Sequence, residues 1–210
     1  MSFLLFLLAA SLIALSPGPG IFYVAARTLA GGRAEGLASS VGTGIGGLVH
    51  VLAGSVGVSA LIMASAEAFA LLKIAGALYL VWLGIKTIRE GGSPAPASVS
   101  RSGAIRAFRE GIVVEALNPK TAAFFLAFLP QFVDPANGAA SGPVWLQFVL
   151  LGTISVVLNT AVDVGVVFLA VRARTLATSR PSLLRRLRQG SGAMIAALGI
   201  ALLFARRPAT

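Results

Sequence analysis

Four ionisable residues stand inside stretches that are otherwise apolar: His50, Glu115, Lys120 and Asp163. Each could do chemistry there. A Lys near the middle of a membrane span costs several kcal/mol, so Lys120 should face the interior and pair with an anion. Its candidate partners are a substrate carboxylate, Asp163 and Glu115; the bland alternative is a Lys that snorkels to the interface. Asp163 closes a polar stripe, Ser155, Asn159 and Asp163, whose members are four apart and share a helical face. Such a carboxylate lines a pathway, accepts a proton or balances a cation. Its structural alternative is a pair with a basic residue of a neighbouring loop. Glu115 stands three residues before Asn118 on a shared face, placed for ion coupling or for pairing with Lys120. His50 could relay protons, or could be a hydrogen-bonded residue of a packing helix rich in small residues (Ser39, Thr43, Gly46, Gly47, Gly54, Gly57). Lys73, Tyr79 and Trp82 share a later segment, where the aromatics fit an interface or a substrate contact.

Two backbone breaks accompany these groups. Ser16-Pro17-Gly18-Pro19-Gly20 interrupts one apolar stretch, and Asn118-Pro119-Lys120 interrupts another. Proline removes a backbone donor and prevents a regular helix. The freed polar groups cannot face lipid; they must face protein or a water-filled cavity. Unwound segments of this kind make substrate sites in secondary transporters, whereas a plain kink is the structural alternative. The glycine run Gly42-Thr43-Gly44-Ile45-Gly46-Gly47 follows no strand and lies within a span, which excludes a dinucleotide loop.

The elements that position these residues are membrane helices. The 210-residue chain is 57% hydrophobic and only 11% charged, too apolar for a soluble domain, which normally carries about 25% charged residues. The expected fold is all-α: a polytopic membrane helix bundle. Six segments reach or approach the roughly 20 residues that a bilayer core requires. They cover 2–26, 37–65, 68–88, 111–132, 144–171 and 190–205, the last being short. The first lacks the basic n-region of a signal peptide, and further spans follow it.

The net charge of +10 fits topology rather than nucleic acid, because 13 of the 17 basic residues fall in three stretches between apolar segments. These hold Arg27 and Arg33; Lys86, Arg89, Arg101, Arg106 and Arg109; and Arg172, Arg174, Arg180, Arg185, Arg186 and Arg188. The intervening loops carry only Glu67 and Asp134. Basic loops alternate with non-basic ones, which places both termini outside. Arg206 and Arg207 pull the other way, and five crossings would result if the last segment failed to span. The chain has no Cys and one His, which leaves no thiolate or imidazole metal site, and no cofactor is expected.

The linker Gly91-Gly92-Ser93-Pro94-Ala95-Pro96 divides the chain into residues 1–90 and 109–210 around a cytoplasmic stretch at 91–108. Ala14-Leu15-Ser16-Pro17 aligns with Ala116-Leu117-Asn118-Pro119 at an offset of 102. At that offset Phe22 meets Phe124, Tyr23 meets Phe125 and Ala25 meets Ala127. Three crossings per half give the halves opposite orientations, the inverted-repeat logic of secondary transporters.

These residues also carry a resemblance. The Ser16-Pro17-Gly18-Pro19 break, the Gly-rich second segment and the run Gly111…Asn118-Pro119-Lys120…Phe124-Phe125…Leu129-Pro130-Gln131-Phe132 resemble the LysE/RhtB family of amino-acid exporters over nearly the whole chain. The resemblance implies a bacterial inner-membrane exporter of amino acids or related metabolites, driven by the proton gradient. Physics and resemblance together predict a substrate site at Ser16, Pro17, Gly18, Pro19, Asn118, Pro119, Lys120 and Asn159. The expected proton-coupling groups are Asp163, Glu115 and His50. A facilitator or channel is the alternative; a membrane-embedded enzyme would need a nucleophile and base that the single His does not supply. Expected partners are the amino acid, protons and the lipid bilayer, with no nucleic acid. Gly-rich faces permit a homodimer without requiring one.

Overall fold

The computed structural model describes residues 3–64, 66–89, 103–134 and 142–173, with isolated positions between 186 and 204. The proposed linker at 91–96 and seven of the 16 residues of the sixth segment lie outside the described residues. Every regular element among the described residues is helical: α1 (Phe3–Leu15), α2 (Pro19–Gly31), α3 (Arg33–Ala64), α4 (Ala66–Arg89), α5 (Ala104–Ala116), α6 (Pro119–Phe132) and α7 (Val144–Ala173).

Arg33–Gly57 and Val144–Arg172 are each long and apolar enough to cross a membrane alone. Two bent pairs reach that length together: α1 with α2, bent by 47°, and α5 with α6, bent by 42°. Both breaks fall at the expected prolines. The bundle buries polar groups beside an apolar core of Phe6, Val51, Phe124, Phe125, Leu129 and Phe148, and it exposes large apolar side chains. Ser16, Thr43, Glu115, Asn118, Lys120 and Asp163 are buried, whereas Leu4, Leu52, Val56, Leu71, Val157 and Leu169 are exposed. That distribution suits a lipid surround, where apolar side chains need no cover.

Three expectations need correction. Arg27 is not a loop residue; it lies in α2 and is buried, and Arg106 and Arg109 lie in α5. The helices simply run past the apolar stretches, because polar ends can extend a helix beyond the lipid. The repeat offset of 102 holds for the prolines, Pro17 with Pro119, but not for the helix bounds. The helix ends Leu15 and Ala116 are 101 apart, but the helix starts Pro19 and Pro119 are 100 apart. The first break is one residue longer, and its second proline, not its first, takes the N1 position that Pro119 takes in α6.

The Gly-rich α3 is the packing centre, lying against α5 on one side and α7 on another. A Cβ on Gly42 would lie 2.2 Å from the Phe108 carbonyl, and one on Gly46 would lie 2.5 Å from the Ile112 carbonyl. The backbones touch there, which only glycine allows. In α6, Leu129 N–H donates to Phe124 O, a π-helical bond, before a 3₁₀ turn at Leu129–Phe132. Pro130 cannot donate to Leu126 and would crowd its carbonyl, so the helix widens ahead of it. Of the last segment, Ile195 is buried with Ala77 and Leu80 of α4.

Gly46→Val is expected to lower unfolding free energy by about 1–3 kcal/mol by forcing α3 from α5. Thermal unfolding of the detergent-solubilised protein measures it; an unchanged Tm would contradict the close packing.

Candidate functional site

In an unbroken helix, the amide of residue 17 would donate to the carbonyl of Ile13. Pro17 has no such hydrogen, so that carbonyl loses its regular donor. The structure supplies another: Lys120 Nζ donates to Ile13 O at 3.2 Å and to Ser16 O at 2.9 Å. The ammonium thus sits on the C-terminus of α1, where a helix dipole favours a cation. Gly18 leaves the room: a Cβ there would lie 3.2 Å from Lys120 Nζ. Lys120 is 4% exposed and does not snorkel. Its direct partners are these carbonyls, of which Ile13 O also accepts from Ser16 N–H at 3.2 Å, rather than Glu115 or Asp163.

The second break repeats the arrangement. Pro119 cannot donate to Glu115 O; that carbonyl accepts from Asn118 N–H at 3.0 Å and from His50 Nε2 at 2.9 Å. A carbonyl only accepts, so Nε2 carries a proton. The His50 ring also stacks on Phe125, centroids 5.9 Å apart. His50 therefore closes a helix end, as the packing-helix reading expects.

The Asn118-Pro119-Lys120 triplet has a local logic. Asn118 is the N-cap of α6: its Oδ1 accepts from Lys120 N at 3.1 Å. Pro119 occupies N1, where a missing amide hydrogen costs nothing. The other half of the Asn118 amide holds Glu115, since Nδ2 donates to Glu115 Oε2 at 2.9 Å. Thr121 Oγ1 donates to Glu115 Oε1 at 2.6 Å. The same carboxylate lies against the first turn of α2, where a Cβ on Gly20 would meet Glu115 Oε2 at 2.6 Å. A negative group beside the N-termini of α2 and α6 complements their dipoles.

These groups border a cavity whose wall includes Ile13, Ala14, Thr43, Glu115, Lys120, Thr121, Phe124, Phe125, Ser155, Val156 and Asn159. The space open to the centre of a water-sized sphere is about 20 Å³. That holds about one water and no amino acid. Of the expected site, Lys120, Asn159 and Glu115 reach the cavity directly, Ser16 acts through its carbonyl, and Asn118 acts through Glu115. Asp163 is fully buried one turn beyond Asn159 and meets the cavity wall through Thr43, whose Oγ1 lies 2.8 Å from Asp163 Oδ2.

The sequence reading missed a charged cluster at the other end of α2. Arg27 donates to Glu110 and, at 3.1 Å, to Tyr23 Oη; Tyr23 Oη lies 2.9 Å from Ala107 O as its donor. Arg106 Nε donates to Glu110 Oε1 at 2.7 Å, and Glu35 Oε1 accepts from Gly103 N at 2.9 Å. Together they tie α2 and α3 to the start of α5. The available signal was two acids among basic residues, Glu35 in the first turn of α3 and Glu110 midway along α5.

Comparison with known proteins gives a consistent relationship. The family model described as LysE type translocator matches residues 11–206. A homoserine/homoserine lactone efflux protein of Salmonella typhimurium is 32% identical over 204 residues, covering 96% of this chain and 95% of that protein. A leucine efflux protein of Klebsiella pneumoniae is 31% identical over 163 residues, 75% of this chain and 74% of that one. An uncharacterized membrane protein of Vibrio cholerae is 32% identical over 97% of both chains. No solved structure matches the chain significantly.

Lys120→Met should leave two buried carbonyls without their side-chain donor and cost about 2–4 kcal/mol of stability, and His50→Leu, leaving one, about 1–3 kcal/mol. Denaturant unfolding in mild detergent checks the order; equal stability of both variants and the parent would contradict the assignment.

Proposed function

The chain belongs to the LysE type translocator family, and from that premise we propose that it exports small neutral amino acids across a bacterial inner membrane in exchange for protons. The observation that carries the reading is the meeting of two proline-broken helices at one cavity, each break held by a side-chain N–H from another element. Broken helices near the bilayer midplane are where secondary transporters bind substrate. The relatives' names, homoserine/homoserine lactone efflux and leucine efflux, point to the substrate class: homoserine and leucine are neutral amino acids, and the lactone is a derivative of the first.

The cavity chemistry suits a zwitterion. Lys120 has three ammonium hydrogens and gives two to carbonyls, which leaves one for a substrate carboxylate. Asn159, with Ser155 beside it, offers a polar face for the amino group. Ile13, Ala14, Phe124, Phe125 and Val156 form an apolar wall for a short side chain. Glu115 offsets the charge of Lys120 at the cavity wall. Ser16 to Pro19 and Asn118 to Pro119 act by keeping the helices open. Asp163 is the group we assign to proton coupling, with Glu115 as the second carboxylate; the His50 Nε2 proton is engaged by the backbone.

The proposed architecture is six spans in two inverted halves, 1–90 and 109–210, joined by a cytoplasmic linker at 91–108, with both termini periplasmic. The paired breaks and the alternation of basic loops support it. A cavity with room for one water requires the halves to part before substrate enters, which is the alternating-access cycle. The Arg27–Glu110 cluster lies on the basic, cytoplasmic side and would separate when that side opens.

Inverted membrane vesicles test the proposal. Labelled homoserine or leucine should enter saturably and faster when the vesicle interior is acid, and Asp163→Asn should remove the acceleration. Linear, non-saturating uptake would indicate a channel, and gradient-blind saturable uptake a facilitator; either would contradict proton exchange.

A further inference from the structure

Thr43 first reads as one of the small residues that let α3 pack closely, but its hydroxyl occupies an unusual position. It lies 2.9 Å from Ser40 O and 2.8 Å from Asp163 Oδ2. A hydroxyl has one hydrogen and cannot donate to both. Two arrangements satisfy the geometry. With Asp163 ionised, Thr43 donates to Asp163 Oδ2. With Asp163 protonated on Oδ2, the carboxyl donates to Thr43 Oγ1, and Thr43 donates to Ser40 O. The second arrangement uses every hydrogen, and the same three oxygens serve both. Asp163 Oδ1 has no hydrogen-bond partner, and the residue is fully buried. An ionised carboxylate with one bare oxygen in such a setting is poorly solvated.

We propose that Thr43 is the proton relay between the cavity and Asp163. Thr43 lines the cavity, and Asp163 does not. Protonation from the cavity then runs in one step through the hydroxyl. Thr43 Oγ1 takes a hydrogen from a hydronium in the cavity as its own O–H bond breaks and an O–H bond forms on Asp163 Oδ2. The hydronium becomes water, Thr43 ends neutral, and the carboxylate becomes a carboxyl. Release is the reverse. A sodium ion is a poor substitute, because among the described residues Thr43 Oγ1 is the single side-chain partner of the carboxylate. The charged groups that act on Asp163 across the cavity are Glu115 of α5 and Lys120 of α6. Substrate carboxylate beside Lys120 would offset that cation and so alter proton affinity at Asp163, which couples the two sites through charge. This inference refines the proposed export cycle and rests on it for its purpose, although the relay itself can be observed without any substrate.

The test is infrared difference spectroscopy of the full-length protein in liposomes during pH jumps, with the pH change itself as the probe. The Asp163 carboxyl band is identified by its loss in Asp163→Asn. Thr43→Val should move that band to higher frequency, and should slow its hydrogen–deuterium exchange by roughly two orders of magnitude. Thr43→Ser, which restores the hydroxyl, should return both to the parent values. An Asp163 band and exchange rate unchanged by Thr43→Val would overturn the relay, as would failure of Thr43→Ser to restore them. A relay seen in the infrared alongside a total lack of amino-acid transport would sustain Thr43 and sink the exporter reading instead.

Discussion

The contact of the Lys120 ammonium with the carbonyls of Ile13 and Ser16 is the interaction on which the rest of the site depends. Pro17 strips α1 of its regular donor and leaves the Ile13 carbonyl with only a bond from Ser16 N–H at 3.2 Å, and a carbonyl left short of partners in a low-dielectric interior costs about 1–3 kcal/mol. A lone ammonium in the same place would be costlier still. Brought together, each answers the other's need, and the two broken helices are pinned to one point. Glu115 adds the opposite charge beside the starts of α2 and α6. Cation on a helix end and anion beside helix starts together make a charge-balanced centre.

The second break shows the same device with a different donor. His50 reaches from α3 to the carbonyl that Pro119 deprives of its helical donor, beside the bond it takes from Asn118 N–H. Because α3 can approach α5 only through Gly42 and Gly46, the glycines also set the reach of His50. Packing and site chemistry are therefore one constraint. Small residues bring backbones close, and the closeness lets side chains from one helix complete another. The cost of such an arrangement is rigidity in the closed state, which the charged cluster at Arg27, Glu35 and Glu110 reinforces from the far end of α2.

Much of this was legible in the residues. Apolar length and the prolines located the helices and both breaks, because a missing amide hydrogen acts locally. The burial of Lys120 and Asp163 followed from their depth in apolar segments. The partners of these groups did not follow. Lys120 bonds to main-chain carbonyls, and every residue has one, so no side-chain pattern marks them. The Thr43–Asp163 contact joins residues 120 apart and depends on which way α3 and α7 face each other. Arg27 read as a topology signal because its neighbours are basic; its burial depends on Glu110, more than 80 residues away, which only the packing of α2 on α5 brings near. The repeat offset slipped for a local reason, one extra residue in the first break.

The most direct test of the central contact is a double-mutant cycle between Pro17 and Lys120, read as unfolding free energy. Pro17→Ala returns an amide hydrogen to the position that faces Ile13 O. If Lys120 stands in for that hydrogen, Lys120→Met should cost less in the Pro17→Ala background, with a coupling of about 1–2 kcal/mol. Strictly additive losses would mean that the ammonium and the missing amide are unrelated, and would contradict the account.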